Sequence, residues 1–144
     1  VSAEELDGLP VSVIHGDYRA QNLLFSNNEV AAVLDLDTVR PAERLFDLAY
    51  ALVFFQAVVS EGPLTPDERR AFLQAYDEEA ALSRLEWGLL PVFLGLALLR
   101  GLTLWIQIAY LEGSNRAAAE WITSYMSLLG AAHDVGGPQG GSAG

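Results

Sequence analysis

The spacing of apolar positions changes character near residue 44 of this 144-residue chain, and the change separates a strand-forming front from a helical remainder. Val11-Ser12-Val13-Ile14 is a short β-branched run, expected as a buried strand that feeds a loop over residues 15–21. Leu23-Leu24-Phe25 and Val30-Ala31-Ala32-Val33-Leu34 follow as two apolar runs. They are separated by Ser26-Asn27-Asn28-Glu29, side chains that cap turns and tolerate left-handed backbone angles, so a β-hairpin is expected. After Asp35 the pattern turns helical. Residues 44–59 carry Leu48, Leu52, Phe55 and Val59 at three- and four-residue intervals, one buried face of a helix.

Helix starts are legible further on. Thr65-Pro66-Asp67-Glu68 is a capping box with proline at the first helical position, predicting a helix over residues 66–80. Ser83-Arg84-Leu85-Glu86 repeats the signature and opens a long apolar segment to residue 111, kinked near Pro91. Asn115 can cap a last helix through residue 129, closed by Gly130, and residues 136–144 read as a flexible tail. The fold class expected is α+β, mostly helical, with a short hairpin ahead of a helical subdomain over residues 44–129. Residues 1–133 form the folded part and residues 134–144 the tail.

Residues 87–111 are apolar enough to pass for a membrane span, but Arg100 falls near the centre among Gly88, Pro91, Gly95, Gly101 and Gln107. A central charge costs about 2.5–3.5 kcal/mol on insertion scales, so a core helix is the expectation, and no membrane partner. Composition sharpens this picture. Nineteen acidic residues against eight basic ones give a formal net charge of −11, and there is no lysine. Such a surface repels polyphosphate, so no nucleic-acid partner is expected; a cationic small molecule would be attracted, although acidity also serves plain solubility. Zero cysteines exclude disulfides and thiolate chemistry. The acidic first residues lack the basic-then-apolar order of a signal peptide, which makes a cytoplasmic location the expectation.

Polar groups concentrate between residues 11 and 47: His15, Asp17, Asn22, Asp35, Asp37 and Asp47. Asn22 enters the hairpin and Asp35 leaves it. With Phe25 opposite Ala32 they face each other, and a two-residue Asn-Asn turn shifts them by one pair. An amide oxygen beside a carboxylate suits Mg²⁺, which takes few protein oxygens and keeps water and substrate phosphates, and this points to phosphoryl transfer. Asp17 then stands where a base accepts a proton from an attacking hydroxyl. Each residue also has a plainer role: Asp17 and Asn22 as loop residues bonding their own backbone, Asp35 as a turn cap, Asp47 as a carboxylate in a first helical turn. Asp37 is either a second metal carboxylate or a solvated side chain. His133 reads as incidental, the acidic run Asp77-Glu78-Glu79 as a solvated face, and Trp87, Trp105, Tyr110, Trp121 and Tyr125 as core more than substrate cage.

The series His15-Gly16-Asp17-Tyr18-Arg19-Ala20-Gln21-Asn22, then Val33-Leu34-Asp35, then Asp47-Leu48-Ala49 resembles the catalytic loop, metal-binding aspartate and helix signature of the aminoglycoside phosphotransferase family, which includes choline kinases and homoserine kinase-like enzymes. The resemblance implies the C-terminal, protein-kinase-like lobe of an ATP-dependent small-molecule kinase. It implies Asp17 as catalytic base, Asn22 and Asp35 as ligands of the Mg²⁺ that ATP carries, and His15 and Asp47 as orienters of the loop. It implies a small hydroxyl compound as acceptor, bound by the helical region over about residues 63–129; acidity makes an aminoglycoside or amino alcohol the more attractive, with a sugar, homoserine or another small alcohol also open.

Family members hold ATP with a lysine and a glycine-rich loop from an N-terminal lobe, and this chain offers neither. The expectation is therefore a C-terminal part of a longer kinase, inactive alone, with the missing lobe in the same or another polypeptide. The alternative is a non-catalytic binding or regulatory module that keeps the scaffold.

Overall fold

The computed structural model of the chain describes residues 2–58 and 64–111, together with residues 120, 122, 123 and 126. Two compact units divide the chain, Val1–Glu86 and Trp87–Gly144. The fold is mixed α and β, mostly helical, with two small antiparallel sheets.

The first unit opens with helix α1 (Ala3–Asp7), which the sequence pattern had not suggested by hydrophobic period. Its Ser2 and Glu5 form a reciprocal capping box, so a start signal was present in a segment too short to show periodicity. Strand β1 (Val11–Ile14) forms where expected but is not buried: Val13 is 74% exposed, and only Ile14 reaches the core. The reason is its partner. β1 pairs antiparallel with a second strand, β4 (Arg40–Glu43), in a sheet of only these two strands, so one pairing edge and much of each face stay open. β4 replaces the helical pattern expected directly after Asp35; Arg40-Pro41-Ala42-Glu43 has little strand propensity, and tertiary pairing supplies what local preference lacks.

The hairpin is strands β2 (Leu23–Ser26) and β3 (Glu29–Val33). Asn27 and Asn28 occupy it as a two-residue turn with φ of 51° and 64°, the left-handed pair that matches strand twist. Phe25 therefore pairs with Val30 and not with Ala32, and a register shift between Leu24 and Phe25 leaves Leu23 opposite Val33. The next rung joins Asn22 to Leu34, whose N–H donates to the Asn22 carbonyl at 2.8 Å, so Asp35 stands one residue beyond Asn22's partner.

Helix α2 (Leu45–Val58) does not bury a single face. Leu48, Ala49, Tyr50, Ala51, Leu52 and Val53 are all buried, the pattern of a helix enclosed on all sides. Helix α3 (Pro66–Glu79) begins with the expected Thr65–Glu68 capping box and ends on Ala80. The acidic run at its end is not merely solvated, because Asp77 accepts the Leu82 N–H at 2.7 Å and shapes the turn that follows.

Ser83 and Glu86 cap helix α4 (Arg84–Leu111) reciprocally. α4 runs past Pro91 as one helix, and Leu89, Leu90, Phe93, Leu94, Ala97 and Leu98 form a buried stripe at helical spacing. Among the described residues, Arg84–Tyr110 is long and apolar enough to cross a membrane by length and composition; the buried stripe is the mark of a helix with one face packed on protein. Tyr110, expected in the core, is 81% exposed. Trp121, Tyr125, His133 and the tail lie outside the described residues, as does most of the expected last helix.

Candidate active site

Between β1 and β2 the chain makes a tight loop, and α2 holds it. Asp47, in the first turn of α2, accepts the backbone N–H of His15 (2.5 Å) on one carboxylate oxygen and that of Gly16 (2.8 Å) on the other. Two donors that a loop would otherwise leave unpaired are thus satisfied by one side chain, which sets the loop's backbone against the helix. His15, itself buried, ties the loop to the end of the hairpin: its Nε2–H donates to the Leu34 carbonyl at 2.8 Å, and its Nδ1 accepts the Asp17 N–H at 3.3 Å. These two partners assign the ring proton to Nε2. Thr38 Oγ1 closes the third side by donating to the His15 carbonyl at 2.7 Å.

Gly16 is required at its position. Its φ is +81°, and a Cβ there would lie 2.7 Å from the Thr38 carbonyl oxygen and also strike the Arg40 guanidinium. Gly16→Ala is expected to destabilise the fold by about 2–3 kcal/mol, from left-handed backbone strain plus the clash with main chain. A thermal melt superimposing on that of the parent protein would contradict this.

Asp17 follows, with its side chain largely enclosed but not sealed. Asn22 Nδ2 donates both to the Asp17 carbonyl (2.8 Å) and to its Oδ2 (3.0 Å). Arg19 Nε lies 3.1 Å from the same Oδ2, an ion-pair distance without the alignment of a hydrogen bond. On the other oxygen, the Tyr50 hydroxyl donates to Oδ1 at 2.5 Å. The plainer reading, loop residues bonding their own backbone, describes part of what Asn22 does, since its amide bonds the nearby Asp17 carbonyl, but not Asp17, whose carboxylate accepts from Tyr50, 33 residues away.

Since Asn22 turns its amide nitrogen to Asp17, its oxygen is the group left to meet a cation. Asp35 is exposed, at φ 59° and ψ 63°, where it introduces a 3₁₀ turn over Leu36–Thr38. That left-handed conformation is one aspartate tolerates better than most residues. Asp37 is exposed on this turn. Among the described residues no three acidic or histidine side chains gather as a metal cage. One amide oxygen at the hairpin mouth and one exposed carboxylate just past it make a sparse donor set. It fits Mg²⁺, which keeps most of its shell as water and phosphate oxygen, and would not fit a structural zinc site.

Tyr50 and Thr38 were not singled out from the sequence. For Tyr50 a signal existed, since it lies three residues after Asp47 and so one turn along the same helix. A cavity of about 500 Å³ is lined by Tyr18, Leu23, Asp47, Phe55 and Tyr76 among others; Asp17 does not line it.

The family model described as APH, phosphotransferase enzyme family, matches residues 2–88, more than half of the chain. No curated protein sequence matches it. The matched span takes in the loop, the hairpin, the helix that fixes them and an ion pair between Arg44, just ahead of α2, and Glu86, in the first turn of α4. The chain belongs to the phosphotransferase enzyme family, a family of kinase-type enzymes that generally use ATP and Mg²⁺.

Proposed function

We propose that this chain carries the catalytic lobe of an ATP-dependent small-molecule kinase, equivalent to the C-terminal lobe of protein kinases, with Asp17 as the base. The observation that carries this reading is the Asp17 carboxylate itself. It is oriented by Tyr50 and Asn22, on a loop whose backbone is fixed by Asp47, and it remains open enough for an acceptor hydroxyl to approach. The acceptor oxygen attacks the γ-phosphorus of ATP while its proton passes to Asp17; the bond from phosphorus to the bridging oxygen breaks, and ADP leaves. Asn22 and Asp35 would hold Mg²⁺, whose charge, when bound, offsets that of the phosphates. His15 and Asp47 take no proton and keep the loop in place.

A net charge of −11 favours a cationic acceptor such as an aminoglycoside or amino alcohol through long-range attraction. The helical region beyond residue 63 supplies its pocket. A lysine and a glycine-rich loop to hold the phosphates come from another segment of the same polypeptide or from a partner, because these 144 residues contain no lysine. That lack favours one second reading, a module that binds nucleotide or acceptor without transfer.

The test is ADP formation by the full-length encoded polypeptide with MgATP and a panel of aminoglycosides, amino alcohols, homoserine and sugars. Acceptor-dependent ADP is expected. MgATP binding without ADP release from any acceptor would leave only the binding module. In the same assay Asp35→Asn is expected to raise the Mg²⁺ concentration for half-maximal rate by about 10–100-fold. Its melting temperature should stay near that of the parent, since the side chain is exposed. An unchanged Mg²⁺ dependence would remove Asp35 from the metal site.

A further inference from the structure

We propose that Tyr50 is a positioning residue for phosphoryl transfer, and that it selects Oδ1 of Asp17 as the oxygen that takes the proton. The inference rests on the reading of Asp17 as the base. Tyr50 is 4% exposed, and its ring is held on both sides along α2: it stacks on Phe54 at 4.0 Å between centroids and 25° between planes, and on Phe46 at 6.1 Å and 12°. Phe46, Tyr50 and Phe54 are spaced by four residues, so the helix repeat itself builds the stack. The Arg40 guanidinium caps it, 4.9 Å from the Phe46 ring. A ring clamped in this way cannot swing its hydroxyl elsewhere, and that hydroxyl meets Oδ1 at 2.5 Å, the length of a charge-assisted bond to a carboxylate.

The two oxygens of Asp17 are therefore not equivalent. Oδ2 accepts from Asn22 Nδ2 at 3.0 Å, and the positive Arg19 Nε sits 3.1 Å away, crowding its remaining side without forming a hydrogen bond. Oδ1 faces Tyr50 and has one site over. With the Tyr50 bond fixing one lone pair of Oδ1, the direction of the other is fixed as well, and that is where an acceptor hydroxyl delivers its proton. A donor that stabilises the carboxylate does not make it a better acceptor of protons, so the gain lies in aim. α2 thus serves the loop twice within one turn: Asp47 sets its backbone, and Tyr50 aims its carboxylate.

The test is Tyr50→Phe in the full-length kinase with an acceptor that turns over. The ring and its stack remain and only the hydroxyl goes. kcat is expected to fall on the order of 10–100-fold with KM for ATP and acceptor within about twofold, a split that a general loss of structure would not give. In an Asp17→Asn background the same substitution should cost nothing further, because the residue it aims no longer acts as a base.

Wild-type kcat in Tyr50→Phe, or a full loss repeated on top of Asp17→Asn, would overturn the role of Tyr50. Wild-type kcat in Asp17→Asn alone would instead overturn the base. A readout that needs neither turnover nor a Tyr50 variant is the infrared C–O stretch of ring-labelled tyrosine. One buried tyrosine band should move between the parent and Asp17→Asn, and an unmoved spectrum would exclude the bond.

Discussion

With Asp17 as the proposed base, Asp17→Asn is expected to lower kcat of the phosphotransferase by about 10²–10⁴-fold and to leave KM for ATP nearly unchanged, the range in which removal of a positioned base falls. The substitution is close to isosteric, and the amide oxygen it introduces can still accept from Tyr50. The amide NH₂ that comes with it, however, is turned toward Asn22 Nδ2, which also donates. That mismatch costs about 1–2 kcal/mol of stability, small beside the stability of a folded domain, so a folded but slow enzyme is the expected product. Steady-state kinetics with a melting curve on the same sample separates the two effects. Retention of most of the turnover would refute the assignment of the base.

Glu86→Ala destabilises the first unit by about 3–5 kcal/mol, the largest stability change expected from a single side chain outside the loop. Glu86 is fully buried and takes two hydrogen bonds from Arg44, at 2.6 Å from Nε and 2.8 Å from Nη2; it also accepts the Ser83 N–H at 2.8 Å to cap α4. Arg44 places two further donors on the Ala80 and Ala81 carbonyls. One pair therefore joins the start of α2, the end of α3 and the start of α4. Its removal leaves a guanidinium without its counter-charge and the Ser83 N–H without its acceptor, half of the capping box of α4. The exposed pair Arg70–Asp67 gives the contrast, since solvent screens it and Asp67→Ala should change stability by less than about 0.5 kcal/mol.

The buried pair also sets a pH dependence. The Arg44 hydrogen bond is the main cause that lowers the Glu86 carboxyl below its ordinary value of 4.5, against desolvation that raises it. The same bond raises Arg44, so the two partners agree in direction. A carboxyl depressed in the folded state contributes fully above 4.5 and loses its contribution as pH falls below that value. The stability gap between the parent and Glu86→Ala, measured by urea unfolding, should therefore narrow on acidification below about pH 4.5. A gap under about 1 kcal/mol at neutral pH, or one that stays constant into strong acid, would mean that the pair does not hold these helices together.

Chemistry that acts over three or four residues was readable from the chain. Thr65 with Glu68 and Ser83 with Glu86 marked two helix starts because a cap and its partner are close in sequence, and Asn27-Asn28 marked the hairpin because few residues accept two successive left-handed angles. The order of His15, Asp17, Asn22, Asp35 and Asp47 was likewise enough to place the chain in its family.

What lay beyond the sequence depended on partners far along it. Tertiary pairing made a strand of Arg40–Glu43 and left β1 exposed, and a bulge in the hairpin left Asp35 only one residue past Asn22's partner. Arg44 and Glu86 are 42 residues apart, and Tyr50 and Asp17 are 33, so no local pattern couples them. The residue types of the loop are thus written in the sequence, whereas the hydrogen bond that Tyr50 gives the Asp17 carboxylate exists only once α2 has folded against the loop. A motif names the groups; their directions come from side chains that packing brings from elsewhere.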